Sequence, residues 1–109
     1  MSREKLYGWG RTAPSVAEVL EPSADDVASL LRTATHVLPR GLGRSYGDAA
    51  QLAGGLVLRN SAMTTMDEIA ADGSVWADAG VTIDDLIRVG LPQGWFVPVT
   101  PGTRQVSVG

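Results

Sequence analysis

The chain has 109 residues with 44% apolar content, enough for one domain with a modest core. Twelve acidic against nine basic residues give a formal charge of -3, which argues against nucleic acid or an anionic membrane surface as partner, so any anionic ligand must be held by local chemistry. No cysteine and a single histidine, His36, exclude a disulfide framework, a thiolate nucleophile and a multi-histidine metal centre.

The first five residues are polar and charged rather than a basic patch followed by an apolar run, so no secretory signal is expected there. No apolar stretch approaches the ~20 residues of a membrane span, and the cytoplasm is the default compartment. Residues 1–14 hold Gly8, Gly10 and Pro14 among Tyr7, Trp9 and Arg11, a composition that predicts an extended N-terminal arm without regular structure. Residues 15–20 read as a strand closed by Glu21-Pro22. Ser23 then opens a helix with Asp26 in the place of a capping-box acid; Ala24, Val27, Ala28, Leu31 and Ala34 share a face expected to pack on a sheet.

Residues 36–39 predict a second strand, and residues 55–59 another, separated by a glycine-rich segment that is neither helix nor strand. Residues 65–70 and 74–79 around Asp72-Gly73 predict a hairpin. Thr82 and Asp85 repeat the capping pattern ahead of a helix whose buried face carries Ile83, Leu86 and Ile87 and which Gly90 ends. The tail has Pro92, Pro98 and Pro101 and regains strand character only at residues 105–108. Strands interleaved with two helices give an α/β or α+β fold.

The chemistry concentrates in Pro39-Arg40-Gly41-Leu42-Gly43-Arg44-Ser45-Tyr46-Gly47-Asp48. Glycines let the backbone turn with positive φ and approach a ligand, so that successive amides converge on a phosphate, while Arg40, Arg44 and the Ser45 hydroxyl add donors. The third glycine falls one place late for the dinucleotide fingerprint, and no Gly-Lys-Ser or Gly-Lys-Thr of a P-loop occurs. On these residues alone a diphosphate cradle and a plain surface turn both stand.

The loop resembles the first pyrophosphate loop of the flavoprotein superfamily named after vanillyl-alcohol oxidase and para-cresol methylhydroxylase, and within it the FAD-dependent sugar oxidases. The likeness extends to Gly8-Trp9-Gly10-Arg11-Thr12-Ala13-Pro14-Ser15-Val16, to Ala79-Gly80-Val81, and to Val97-Pro98 with Pro101-Gly102-Thr103-Arg104-Gln105-Val106. It implies an α+β fold, the N-terminal part of a PCMH-type FAD-binding domain with a small mixed sheet and two helices. Residues 1–14 would be the arm and 15–109 the incomplete domain, with the rest of the same enzyme as its partner.

The resemblance further implies FAD contacts from Arg40, Gly41, Leu42, Gly43, Arg44, Ser45, Tyr46, Gly47, Asp48 and Ala49, then from Pro101, Gly102, Thr103, Ser107, Val108 and Gly109. Several family members carry a flavin-linked histidine on the first loop; Ser45-Tyr46-Gly47 stands there instead, so FAD is expected to be non-covalent. The implied reaction is hydride transfer to flavin from a sugar or polyol hydroxyl, with a polyprenyl-phosphoryl ribose as substrate and its 2'-keto form, made for cell-wall arabinan, as product. Cell-envelope association would follow from such a substrate.

No residue of this chain is expected to be catalytic, nor any to ligate a metal. His36 precedes the loop and reads as a cap or surface residue, and Asp67, Glu68, Asp72, Asp84 and Asp85 fall in turns or at a helix start. Trp9 reads either as a residue near flavin and substrate or as an anchor for the arm. The alternatives to the oxidoreductase reading are an inactive fragment and a nucleotide- or phosphate-binding module without redox chemistry.

Overall fold

The computed structural model describes residues 1–109. Alternation in β2 (Ser15–Leu20) buries Ala17 and Val19 and turns Val16 and Glu18 outward, the pattern of a strand covered on one face. β4 (Leu56–Arg59) is more apolar, and it lies between parallel neighbours, β2 on one side and β3 (Val37–Arg40) on the other. Pro39 is tolerated because β3 is an edge strand.

The other edge is β1 (Ser2–Leu6), antiparallel to β2 with Leu6 opposite Ser15, so the sheet order is β1-β2-β4-β3. An arm without regular structure was expected here, and its first residues are instead a strand. Leu6 joins Ala17, Val19 and Val57 in the core, with Leu38 and Leu52 packed against them. Glu4 accepts a 2.8 Å bond from the Arg59 guanidinium, which also reaches Glu21 at 3.3 Å. One apolar anchor and one ion pair across the sheet thus hold a polar strand.

The first helix, α1 (Ala24–Thr33), begins after Ser23, but the capping box is not closed: the Ser23 hydroxyl donates to the Asp26 carboxylate at 2.8 Å rather than accepting from an amide. Its apolar face does not pack as expected. No residue of α1 is buried and Leu31 is 55% exposed. The second helix, α2 (Ile83–Gly90), has a complete box, with Asp85 N–H to Thr82 Oγ1 and Thr82 N–H to Asp85 Oδ2, both 3.0 Å. It ends at Gly90 as expected, but Gly90 keeps a helical conformation and the chain continues through a 3₁₀ turn, Leu91–Gln93, to Gly94 at φ 85°, the left-handed cap.

The expected hairpin at 65–79 forms its turn, with Gly73 at φ 88° and Asp72 accepting from the Ser74 amide and hydroxyl, but pairs as a bridge only at Met66 and Ala77. Residues 105–108 likewise make one bridge, Ser107 to Thr82, rather than a strand. The small mixed sheet with two helices agrees with the fold implied by the resemblance. The accessible surface is 7152 Å² over extents of 45 × 32 × 17 Å. That exceeds the roughly 5,800 Å² of a typical monomer of this mass, because one thin sheet leaves much of its faces uncovered. No helix is long and apolar enough to cross a membrane.

Candidate functional site

The glycine loop leaves the carboxyl end of β3, the end at which open sheets with parallel strands place ligands. Through Gly41, Leu42, Gly43 and on to Ala50, no backbone amide donates a hydrogen bond within the chain. Gly43 at φ 72° and Gly47 at φ 61° supply the left-handed geometry that lets neighbouring amides turn towards one point. A run of unpaired donors requires water or an acceptor-rich ligand.

The two arginines of the loop do different work. Arg40 points beneath it, donating from Nη1 to the Ala50 carbonyl at 2.7 Å and from Nη2 to the Tyr7 carbonyl at 2.8 Å. Burial, and secondarily the charge of Arg59, push its pKa below the ordinary arginine value, while Glu4 opposes them. Arg40 therefore ties the two ends of the loop to the arm, and its bonded donors do not favour the anion contact expected of it. A Cβ at Gly43 would meet this guanidinium, with Cζ only 2.9 Å away. Arg44 lies above: its Nε donates to the Gln105 carbonyl at 3.1 Å, and its guanidinium sits 5.6 Å from the centre of the Trp9 ring.

The second wall comes from the tail. Asp84 bonds Arg104 at 3.1 Å and Arg88 at 2.9 Å, fixing the tail to the start of α2. Backbone bonds from Ile83 N–H to Val106 O, from Val108 N–H to Val81 O and from Gly109 N–H to Ala79 O then continue the attachment. This brings the Ser107 hydroxyl against Gly41, and it donates to the Gly109 carbonyl at 2.6 Å. Gly80 is required behind this wall, since a Cβ there would collide with the carbonyls of Asn60 and Met63.

Between the walls lies an open groove of about 390 Å³, lined by Gly41, Leu42, Gly43, Arg44, Ser45 and Ala49 from the loop and by Ser107 and Gly109 from the tail. Pro39, at the head of the stretch singled out in the sequence, also lines it, as do Ala50 and Val106, which sequence reading missed; small or apolar residues carry no chemical signal of their own. Arg44 is the only charged side chain of the lining.

The remaining expected residues lie elsewhere. Tyr46 is 82% exposed and borders a neighbouring hollow of about 380 Å³ with Trp9, Arg44, Pro101, Gly102 and Thr103. Gly47 presents its carbonyl to Gly8, and Asp48 accepts the Gln51 amide at 3.0 Å. Val108 is paired with Val81 and half exposed. His36 lines a different hollow, beside Met1 and Gly54, and contacts the Thr35 hydroxyl at 3.2 Å. Unpaired amides of the loop and of Ser107, the Ser45 hydroxyl, one guanidinium and no acidic side chain form a donor set that fits a diphosphate. No side chain of the groove is an evident general acid or base.

A profile of the FAD binding domain family matches residues 17–109. The chain is 48% identical over 115 aligned positions to the decaprenylphosphoryl-β-D-ribose oxidase of Mycolicibacterium smegmatis, covering 97% of this chain and 25% of that protein. It thus spans about a quarter of the length of this curated relative. Among solved structures, the cholesterol oxidase of B. sterolicum superposes with a TM-score of 0.73 at 13% identity, over 99% of this chain and 23% of that one, a likeness of fold.

Proposed function

The chain belongs to the FAD binding domain family, with FAD as its cofactor, and from that premise we propose that its groove holds the FAD diphosphate non-covalently in an oxidoreductase that oxidises a sugar hydroxyl. The observation that carries the placement is the run of amides between Gly41 and Ala50 with no acceptor in the chain, facing a wall that supplies Ser107 and no acidic side chain. A diphosphate is compact, polyanionic and rich in acceptors, and it satisfies such donors at close range.

The residues act by holding and orienting. Gly41, Gly43, Ser45 and Ser107 present donors, Arg44 contributes the field of one cation, and Leu42, Ala49 and Val106 line the remainder of the groove. Tyr46, Pro101, Gly102 and Thr103, in the adjoining hollow, extend the contact surface beyond the diphosphate. When bound, FAD supplies the acceptor for a hydride from the alcohol carbon. Ser45-Tyr46-Gly47 offers the flavin no imidazole, which supports non-covalent binding. Identity to an oxidase of decaprenylphosphoryl ribose supports a polyprenyl-phosphoryl ribose as substrate, and a lipid-linked substrate of that kind would place the enzyme at the cell envelope.

Titration with FAD, ADP and riboflavin tests the reading. FAD and ADP are expected to compete for one site that riboflavin, lacking the diphosphate, does not occupy. Acid precipitation is expected to release the flavin into the supernatant. Binding of ADP without FAD would favour a nucleotide module without redox chemistry, and flavin retained by the denatured protein would refute the non-covalent link.

A further inference from the structure

The N-terminal arm touches the loop at four points. The Trp9 amide donates to the Ser45 carbonyl at 2.9 Å, Arg40 bonds the Tyr7 carbonyl, and the Arg44 guanidinium lies over the Trp9 ring. Gly8 lies so close to the Gly47 carbonyl that no side chain fits there. Beyond Trp9 the arm takes two left-handed conformations at residues other than glycine, Arg11 at φ 55° and Ala13 at φ 46°. Such conformations persist only where the surroundings over-determine them. Gln51 donates to the Ala13 carbonyl at 2.9 Å, and the loop contacts hold the segment from Tyr7 to Trp9.

We infer that the arm is a working part of the cofactor groove, coupled to it by the Trp9–Arg44 pair, and that Arg44 is a positioning residue whose guanidinium joins arm, loop and tail. This rests on the reading of the groove as a diphosphate site. The Nε bond to Gln105 and the cation–π contact with Trp9, 5.6 Å from the ring centre, together hold the group in position. Gln105 immediately precedes Val106 and Ser107, so the same guanidinium that holds Trp9 sets the distance between the loop and the opposite wall. Trp9 thereby acts on the diphosphate from outside the groove.

Lysine separates a positioning role from a charge role. It keeps the cation, which suffices for a phosphate ligand, but offers neither a planar face for stacking nor a fixed Nε donor. Arg44→Lys and Trp9→Leu are each expected to weaken FAD and ADP binding by about three- to tenfold. The double variant should lose no more than either alone, because both break one connection. Trp9→Phe, which keeps an aromatic face, should restore most of the affinity. In the ligand-free protein, hydrogen exchange of the Trp9 amide should accelerate in Arg44→Lys and in Trp9→Leu but not in Trp9→Phe.

Wild-type affinity in Arg44→Lys with a loss in Arg44→Ala would make Arg44 a charge ligand and overturn the inference. So would additive losses in the double variant. If the wild-type chain bound neither FAD nor ADP, the diphosphate reading would fall. Exchange would still decide the coupling, and an unchanged Trp9 amide in Arg44→Lys would refute it.

Discussion

Gly41→Ala isolates the contact between the two walls of the groove. A Cβ at Gly41 would overlap the Ser107 hydroxyl and stand 2.8 Å from the Gly109 carbonyl, where ordinary contact begins at 3.4 Å. Relief requires the tail to retreat by several tenths of an ångström and disturbs the 2.6 Å bond from Ser107 to Gly109. Loop and tail are both surface segments able to separate, so the clash is relieved by opening the groove, with little change in the unfolding midpoint. Reclosing the groove on a diphosphate then opposes an overpacking cost of about 1–2 kcal/mol, or about five- to thirtyfold in FAD affinity. The assay is FAD titration by flavin fluorescence beside urea unfolding. Ser23→Ala is the control, since Ser23 is exposed and lies outside the groove and the adjoining hollow. Affinity within twofold of wild type in Gly41→Ala would refute the claim that these walls close on the ligand.

Arg40→Met should lower stability by about 2–3 kcal/mol, because two charge-assisted bonds to the Tyr7 and Ala50 carbonyls are lost, as urea unfolding would show. Thr82→Ala removes one bond of the closed capping box and should cost about 1 kcal/mol, whereas Ser23→Ala, whose hydroxyl caps no amide, should cost measurably less. Glu4 is held below the usual carboxylate range by Arg59 and then Ser2, Asp72 by the Ser74 hydroxyl and amide, and Asp85 by the Thr82 amide and hydroxyl. Their folded pKa values are depressed, so the stability they contribute is present above the unfolded carboxylate value of about 4 and is lost as pH falls below it. Urea midpoints should be flat from pH 7 to about 5 and fall below about 4, with a shallower fall in Asp85→Asn.

Features decided by neighbours in the chain were the legible ones. The strand at 15–20, the glycine loop after β3 and the box of Thr82 with Asp85 were all readable from residues within a few positions. Ser23 and Asp26 show the same pattern, yet there the hydroxyl bonds the carboxylate, a choice of donor direction that the pattern does not encode. The strand Ser2–Leu6 was not legible because Arg59, the partner that makes it favourable, lies 55 positions from Glu4. The apolar spacing of α1 was legible, but spacing does not say whether a covering surface exists.

The loop and the tail singled out in the sequence line one groove, but the sequence could not separate the two arginines. Arg40 and Arg44 offer the same chemistry four residues apart. Only long-range geometry sends one to the Tyr7 and Ala50 carbonyls and the other to Trp9 and Gln105. Gly41 looks like a turn residue, whereas its role is to let Ser107 approach from 66 positions away.

The central claim is that the amides from Gly41 to Ala50, together with Ser107, receive a diphosphate. The direct measurement is residue-resolved amide exchange of the protein alone and with saturating FAD, ADP or riboflavin. FAD and ADP are predicted to slow exchange across these amides, and riboflavin to leave them unchanged. Equal protection by riboflavin, or no protection by FAD while it binds elsewhere, would contradict the account.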